Sequence, residues 1–293
     1  MTDSGLFDTA LGSPFTRLIK RRLDAGDFLS LNSVADAAKP FAVSLLSQIS
    51  RRPVLVVTDG LKSQEAFFND LQTLLPGVQF YPAWETLPHE DVLPHANTIA
   101  DRLKTLTNLT APAMVASVQA LMQRTFAPEY FLSLRTEIHL GQALVLQEFV
   151  DHLIELGYHG EYQVNEPGDM AMRGGIVDFF PLDRDEPVRI EFSGDEIESI
   201  RTFDPTTQQS RDKREQVVVT PAGELGILKQ ADGKTALMVD FLPRDALLVL
   251  DEPDKLAEAA EAYAKQIPEG DKFFADWRHT LESGLMTIQL TEA

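Results

Sequence analysis

The stretch Pro53-Val-Leu-Val-Val-Thr58, followed after a short turn by a segment from Ser63 to Leu75, decides the class of fold. The first segment is apolar without alternation, which predicts a strand that is buried on both faces. In the second segment the apolar residues recur at helical spacing. A buried strand that leads into an amphipathic helix is the repeating unit of a parallel α/β sheet.

The same alternation continues on both sides of this unit. Upstream, Phe28 to Leu31 predicts a strand and Phe41 to Ile49 a helix. Downstream, residues 78–81 and 114–118 predict strands, with a helix between them at residues 99–109. We therefore predict an α/β domain that is built on a parallel sheet.

From about residue 143 the pattern changes to short strands. An apolar helical stripe from Leu146 to Ile154 ends at Gly157, a residue type that commonly terminates helices. The strands predicted after it are separated by glycine, proline and acidic turns and lie at residues 162–164, 176–180, 188–192, 197–203 and 217–220. This spacing predicts a small mixed or antiparallel sheet.

The last part of the chain returns to the α/β pattern. Leu247 to Leu250 predicts a buried strand, and residues 254–266 predict a helix. We therefore predict a discontinuous first domain at residues 1–130 and 220–293, with a smaller α+β domain inserted at residues 131–219.

The composition is that of a packed globular protein with an acidic surface. The chain has 293 residues, 44% of them hydrophobic, and a formal net charge of −19. Such a charge repels nucleic acid, because binding to phosphates depends on cationic side chains. The absence of cysteine excludes disulfides and thiolate chemistry, and no apolar run is long enough for a membrane span. We expect a soluble, cytoplasmic protein.

The turn after the predicted strand at Phe28 to Leu31 is where an ATPase of this class carries its phosphate loop. Laid on the pattern Gly-x-x-x-x-Gly-Lys-[Ser/Thr], the sequence has Ser33, Ala38, Lys39 and Pro40. Both glycines that let backbone amides close on a phosphate are absent, and Pro40 has neither a hydroxyl for magnesium nor an N–H. We predict a degenerate, inactive phosphate loop and no ATP hydrolysis.

Other catalytic and metal-binding patterns are also missing. The segment Leu247-Leu-Val-Leu-Asp251-Glu252 is similar to the magnesium-binding end of an ATPase strand, but it stands without a phosphate loop. No Gly-x-Ser-x-Gly elbow occurs, and the six histidines include no metal-binding spacing. We therefore predict no catalytic residue, no metal and no cofactor, and we do not expect the chain to be an enzyme.

Arginines interrupt otherwise apolar strands in one part of the chain. The runs are Glu166-Pro-Gly-Asp-Met-Ala-Met-Arg-Gly-Gly-Ile-Val-Asp-Phe-Phe-Pro181 and Pro187-Val-Arg-Ile-Glu-Phe192. On an extended strand Arg189 and Glu191 point to one face, and the apolar residues between and beside them point to the other. Two interpretations remain open, an ion pair on a solvated face and an arginine that anchors an interface through a carboxylate.

These runs, with Asp195-Glu-Ile-Glu-Ser-Ile-Arg-Thr-Phe-Asp204, closely resemble the UvrA-binding domain that the excision-repair helicase UvrB shares with the transcription-repair coupling factors of the Mfd family. Upstream, Trp84-Glu-Thr-Leu-Pro88 and Asp101-Arg-Leu103 resemble the coupling factors rather than UvrB. The resemblance implies a degenerate RecA-like (P-loop NTPase-like) parallel-sheet domain with an inserted UvrA-binding domain. It places the working motor of that family in another region.

The resemblance also implies a partner and a site. The partner is UvrA, and the residues that it places on the docking surface are Arg173, Arg189, Glu191, Phe192 and Ser193. Some members of the family have an aromatic residue at the position of Ser193. In full-length members, RNA polymerase and DNA are bound through other regions, and no membrane contact is implied.

An alternative function is a UvrB-like module that keeps a residual affinity for nucleotide or DNA. The feature that discriminates between the two is the loop from Ser33 to Pro40, because only a working phosphate loop would bind nucleotide.

Overall fold

A computed structural model describes residues 4–90, 92–231 and 233–292, so residues 1–3, 91, 232 and 293 of the predicted domains lie outside the described residues. The strands are β1 (Leu29–Leu31), β2 (Val54–Thr58), β3 (Gln79–Tyr81), β4 (Ala113–Ser117), β5 (Thr125–Phe126), β6 (Thr136–His139), β7 (His159–Gly160), β8 (Asp169–Arg173), β9 (Ile176–Phe179), β10 (Val188–Ser193), β11 (Glu196–Phe203), β12 (Ser210–Arg214), β13 (Gln216–Val219), β14 (Thr235–Ala236), β15 (Leu247–Asp251) and β16 (Met286–Leu290).

The helices are α1 (Ser4–Leu11), α2 (Pro14–Ala25), α3 (Lys39–Ser50), α4 (Leu61–Leu74), α5 (Ala96–Thr107), α6 (Val118–Met122), α7 (Pro128–Ser133), α8 (Leu146–Glu155), α9 (Leu225–Gln230), α10 (Pro253–Ala264) and α11 (Trp277–Leu281). Short 3-10 turns lie at Asp36–Ala38 and Met238–Phe241. Within the described ranges, no helix is both long enough and apolar enough to cross a membrane.

The chain forms two compact units, each assembled from separate segments. The first unit comprises Met1–Ala83, Asn108–Arg124 and Leu237–Ala293, and the second comprises Trp84–Thr107 and Thr125–Ala236. The segment Trp84–Thr107, which contains α5, therefore packs in the second unit. The domain bounds taken from the sequence stay predictions.

The first unit is an α/β domain on a six-stranded parallel sheet with the order β1-β16-β15-β2-β4-β3. Strand β2 is buried along its whole length, as its unbroken apolar sequence predicts. On one face of the sheet, Val54 and Val56 join a core cluster with Leu46 of α3 and Leu71 of α4. The predicted fold class, an α/β parallel-sheet domain with a separate smaller sheet domain, is confirmed.

The second unit is built around a six-stranded sheet with the order β12-β11-β10-β9-β8-β7, antiparallel except for the β7–β8 pair. Helix α8 packs on one face through Phe149, whose ring centroid lies 5.8 Å from that of Phe179 and 6.1 Å from that of Phe192. Two antiparallel ladders, β13 with β6 and β14 with β5, complete the unit.

One of the strands predicted in this unit is wrong. Residues 162–164 form a loop, and Val164 is buried there as a loop anchor rather than as part of a ladder. Several strands of this unit were not predicted, among them β5, β6, β7, β8 and β12. Strand β12 is exposed along its whole length and has the sequence Ser-Arg-Asp-Lys-Arg, so no apolar alternation marks it.

Candidate functional site

The residues predicted to bind a partner lie on two strands of the second unit, β8 and β10, which are separated in the sheet by β9. Cross-strand pairing places Arg173 of β8 opposite Ile176 of β9, and Ile176 opposite Glu191 of β10, so these side chains share one face of the sheet. Successive strands run antiparallel, so the β8–β9 turn at Gly174-Gly175 and the β10–β11 turn at Gly194-Asp195 lie at the same end. We call this region the turn end of the sheet.

Glycines allow the two turns to come together. Gly174 and Gly194 have φ angles of 62° and 63°, in the left-handed region that favours glycine. The Phe192 N–H donates to the Gly175 carbonyl at 2.7 Å, and a Cβ on Gly175 would lie only 3.0 Å from the Phe192 carbonyl oxygen. The glycine pair after Arg173 therefore lets the β8–β9 turn pack against Phe192 of β10.

Arg189 is engaged inside the sheet. Its Nε and Nη2 donate to the two carboxylate oxygens of Asp178 at 2.7 and 2.8 Å, and its Nη1 donates to the Gln208 carbonyl at 3.3 Å. The guanidinium also lies 4.6 Å from the ring centroid of Phe203. Asp178 is almost fully buried, and its hydrogen bonds raise the pKa of Arg189 above its ordinary value. This arginine thus neutralises a buried carboxylate.

The other predicted residues of β10 differ in exposure. Glu191 is half-buried, accepts a hydrogen bond from the Ser199 hydroxyl at 2.7 Å, and lies 3.5 Å from Nη2 of Arg201. Phe192 is half-buried on the opposite face, beside Phe149, and Ser193 is exposed. The predicted alternation of charged and apolar faces along this strand is confirmed for Arg189 and Glu191 against their apolar neighbours.

Arg173 is exposed at the turn end. Its Nη2 donates to the backbone oxygen of Tyr162 at 2.8 Å, and its guanidinium lies 5.2 Å from the centroid of the Tyr162 ring. The structure therefore brings Arg173, Glu191 and Ser193 together at the turn end of the sheet. Arg189 lies two residues before Glu191 on β10, farther from the turn, and is paired with Asp178. Their part in binding a partner stays a prediction.

The degenerate phosphate loop follows β1 in the first unit. Ser33 lies in it with a φ of 59°, Ala38 ends a 3-10 turn, and Lys39 and Pro40 are the first residues of α3. The Val34 N–H donates to the Thr291 carbonyl at 3.0 Å. At least one loop amide is thus used within the fold rather than presented to a ligand.

The Lys39 ammonium is surrounded by carboxylates. Its Nζ lies 2.6 Å from Asp36, 2.8 Å from Asp251 and 2.6 Å from Glu252, and the side chain is buried. Burial acts to lower the pKa of Lys39, but the hydrogen bonds to Asp251, Asp36 and Glu252 outweigh it and hold the pKa above its ordinary value. A phosphate approaching this lysine would meet negative charge on three sides.

A cavity of about 470 Å³ opens beside this ion cluster, at the ends of β2 and β15. Further carboxylates line it at Asp59 and Asp70, and further lysines at Lys62 and Lys255. In parallel α/β sheets, ligands bind outside the carboxyl ends of the strands, and this cavity occupies that position. Its acidic lining is unsuited to a nucleotide phosphate. Asp251 and Glu252 stand where an ATPase of this class has its magnesium-binding strand end. Here both carboxylates are paired with the Lys39 ammonium instead.

The second unit contains a buried polar network that no sequence pattern predicts. Glu224 is fully buried and accepts from Arg102 Nε at 2.7 Å, from Trp84 Nε1 at 2.8 Å and from the Thr125 hydroxyl at 2.6 Å. Trp84 and Arg102 stood in the motif that resembles the coupling factors, but the sequence assigned them no role. Glu224 lies 122 residues from Arg102, and no sequence pattern joins the two.

Comparison with known proteins gives a family match within the second unit. Residues 136–225 match the family model described as the UvrB interaction domain, and they include all five predicted docking residues.

The chain is 28% identical over 271 residues to the transcription-repair-coupling factor of Myxococcus xanthus, a match that covers 87% of this chain and 22% of the relative. It is 34% identical over 202 residues to that of Haemophilus influenzae, covering 68% of this chain and 18% of the relative. The chain belongs to the transcription-repair-coupling factor family. It corresponds to the amino-terminal, UvrB-like module of that family. It spans about a fifth of the length of these curated relatives.

Proposed function

We propose that this chain is an interaction module that recruits nucleotide-excision repair by binding UvrA through the turn end of the second unit's sheet. The observation that carries the proposal is the assembly of Arg173, Glu191 and Ser193 at one exposed end of the sheet, within residues that match the UvrB interaction domain. Exposed arginines held at a fixed backbone position are strong anchors for protein interfaces.

The two arginines have different roles in this proposal. Arg173 is exposed and offers N–H groups to a carboxylate of the partner. Arg189 is a positioning residue, because its guanidinium already holds Asp178 in a bidentate pair and thereby braces β9 and β10. Glu191 and Ser193 supply polar groups at the rim, and Phe192 holds the strand onto α8 through Phe149.

Replacement of Arg173 by alanine is expected to weaken binding to UvrA at least tenfold, about the effect of losing an interface arginine. The measurement is a calorimetric titration of the wild-type chain and of R173A against UvrA from the same organism. The control is R278A, which removes an equally charged and highly exposed arginine from the first unit. Equal affinities of R173A and wild type would remove Arg173 from the site.

R173A, rather than R189A, is the main variant in this titration. The R189A substitution leaves the buried carboxylate of Asp178 without its bidentate partner, so weaker binding would not separate a lost contact from a loosened sheet. R173A leaves no buried charge without a partner, because Arg173 is exposed. It removes one hydrogen bond, to the Tyr162 carbonyl, and the loop that carries Tyr162 keeps its hydrogen bonds at Glu161 and Val164.

We further propose that the chain has no ATPase of its own. The loop glycines are absent, and Lys39, the one residue of the phosphate-loop pattern that remains, is neutralised by Asp36, Asp251 and Glu252. RNA polymerase and DNA contacts belong, by the resemblance, to other regions of full-length members, and we propose neither for this chain.

Millimolar Mg-ATP is expected to leave the melting temperature of this chain unchanged within about 1 °C, because a ligand that does not bind the folded state cannot stabilise it. Thermal unfolding with and without nucleotide is the measurement, with UvrB as the positive control. The variant S33G/A38G restores the loop glycines, and we expect no shift there either, because Lys39 stays on its carboxylates. A clear rise in the wild-type chain would support the alternative of residual nucleotide binding.

A further inference from the structure

Tyr162 stands out on the surface of the second unit. Its side chain is 88% exposed, the highest value among the large apolar residues that the structure describes, where the next is Leu132 at 61%. It lies in the loop between β7 and β8, beside the turn end of the sheet. An exposed aromatic ring leaves a large apolar area in water, and that area becomes a source of binding energy when a partner covers it.

The loop that carries Tyr162 is held on both sides of the residue. The Glu161 N–H donates to the Met170 carbonyl at 2.7 Å. Val164 is fully buried, and its carbonyl accepts from Nε2 of Gln208 at 3.0 Å. Tyr162 is therefore presented on a fixed backbone, so a partner that covers its ring does not have to order a mobile segment first.

The carboxylate of Asp169 also holds this loop in place through backbone hydrogen bonds. Oδ2 of Asp169 accepts from the backbone N–H groups of Asn165 and Glu166 at 3.0 and 2.9 Å. This bracing ties the loop to the first residue of β8, the strand that ends at Arg173. The position of Tyr162 and the position of Arg173 are thus set by the same strand.

Tyr162 and Arg173 form one unit at the surface. The Arg173 guanidinium stands 5.2 Å from the centroid of the Tyr162 ring, and one of its N–H groups donates to the Tyr162 carbonyl at 2.8 Å. A guanidinium has five N–H groups, so others remain to meet a carboxylate of a partner. Tyrosine and arginine are, with tryptophan, the residue types that are enriched among the residues carrying most of the binding energy of an interface.

We propose that Tyr162 is the aromatic anchor of the docking surface, and that its ring enters an apolar pocket of the partner that has a carboxylate at its rim for Arg173. The inference rests on the proposed function, so the partner is UvrA and the site is the turn end of the sheet. It adds a residue outside the resemblance motif to that site.

The test is a titration of UvrA with the wild-type chain, Y162A, Y162F and the control F28A. Phe28 is an exposed aromatic residue of the first unit, at 60% exposure, so F28A matches the loss of an exposed ring. We expect Y162A to bind about thirtyfold more weakly than wild type, the effect of truncating an interface anchor, and Y162F and F28A to bind within about threefold of wild type. Circular dichroism is expected to show unchanged melting temperatures, because the Tyr162 side chain is not part of a core.

The outcomes separate this inference from the proposed function. If the wild-type chain binds and Y162A binds equally well, the anchor is overturned and the proposed function stands. If Y162F loses as much affinity as Y162A, the phenol hydroxyl rather than the ring makes the contact, which also overturns the anchor. If the wild-type chain does not bind UvrA at all, both the proposed function and the inference are overturned.

Discussion

Replacement of Glu224 by alanine is expected to lower the free energy of unfolding by about 3–5 kcal/mol, the effect of removing one partner from a buried ion pair. Both Glu224 and Arg102 are fully buried, and Glu224 accepts from Arg102 at 2.7 and 3.0 Å. Its loss also removes the acceptor of Trp84 Nε1 and of the Thr125 hydroxyl. The measurement is urea unfolding followed by circular dichroism and tryptophan emission.

Two further variants test whether the loss of stability in E224A comes from the buried charge. E198A removes an exposed glutamate from β11 and is expected to change the free energy of unfolding by less than about 0.5 kcal/mol. The double variant R102L/E224L removes both charges together, and we expect it to be more stable than E224A, because no uncompensated guanidinium remains. Equal stabilities of E224A and E198A would contradict the role of the network in holding Trp84–Thr107 to the second unit.

Replacement of Lys39 by methionine is expected to destabilise the first unit by about 3 kcal/mol at pH 7. Methionine keeps most of the aliphatic length of lysine, but the side chain carries no charge. Asp36, Asp251 and Glu252 would then stand together without the cation that lies within 2.8 Å of each of them in the wild-type chain. K62M, which removes an exposed lysine from the wall of the same cavity, is the matched control and is expected to have little effect.

The effect of K39M is expected to shrink as the pH falls from 7 to about 4. In the wild-type chain, a hydrogen bond from Lys39 holds the pKa of Asp36 below its ordinary value. Burial acts to raise the pKa of Glu252, but hydrogen bonds from Lys39 and from the Glu292 backbone lower it overall. The stability that these two groups contribute is present above their unfolded pKa values and is lost as the pH falls through the folded values.

In the variant the sign is reversed. Without the lysine, burial and mutual repulsion raise the pKa values of the carboxylates, as burial already raises the pKa of Asp251. The folded variant then binds more protons than the unfolded chain, so its stability rises as the pH falls, while the contribution of Asp36 and Glu252 to the stability of the wild type declines. Urea unfolding of both proteins at several pH values measures this difference. A gap that stays constant between pH 7 and 4 would mean that the carboxylates do not interact through Lys39.

Much of the fold could be predicted from the sequence, because local patterns report burial directly. The unbroken apolar run at β2 predicted a central strand, and the helical spacing after it predicted α4. The alternation of Arg189 and Glu191 with apolar neighbours predicted which side of β10 faces the core. Where the pattern was absent or misleading, prediction failed, as for the polar edge strand β12 and for Val164, whose burial belongs to a loop.

The candidate site could be predicted in its residue types but not in their partners. The resemblance pointed to Arg173 and Arg189 alike, whereas the structure leaves Arg173 exposed and places Arg189 on the buried carboxylate of Asp178. The sequence also gave no sign that Tyr162, in a segment predicted as a strand, is held out beside Arg173. The difference arises because exposure of a side chain near a turn depends on how the neighbouring loop folds back.

By itself, the sequence determined the class of fold, the acidic character of the chain and the loss of the phosphate-loop glycines, since each of these follows from composition or from residues adjacent along the chain. Only the tertiary structure decided which charges neutralise one another. Lys39 meets Glu252 across 213 residues, and Arg102 meets Glu224 across 122. Periodicity carries information over one or two turns of helix or a few residues of strand, whereas the pairing of distant charges depends on the path of the whole chain.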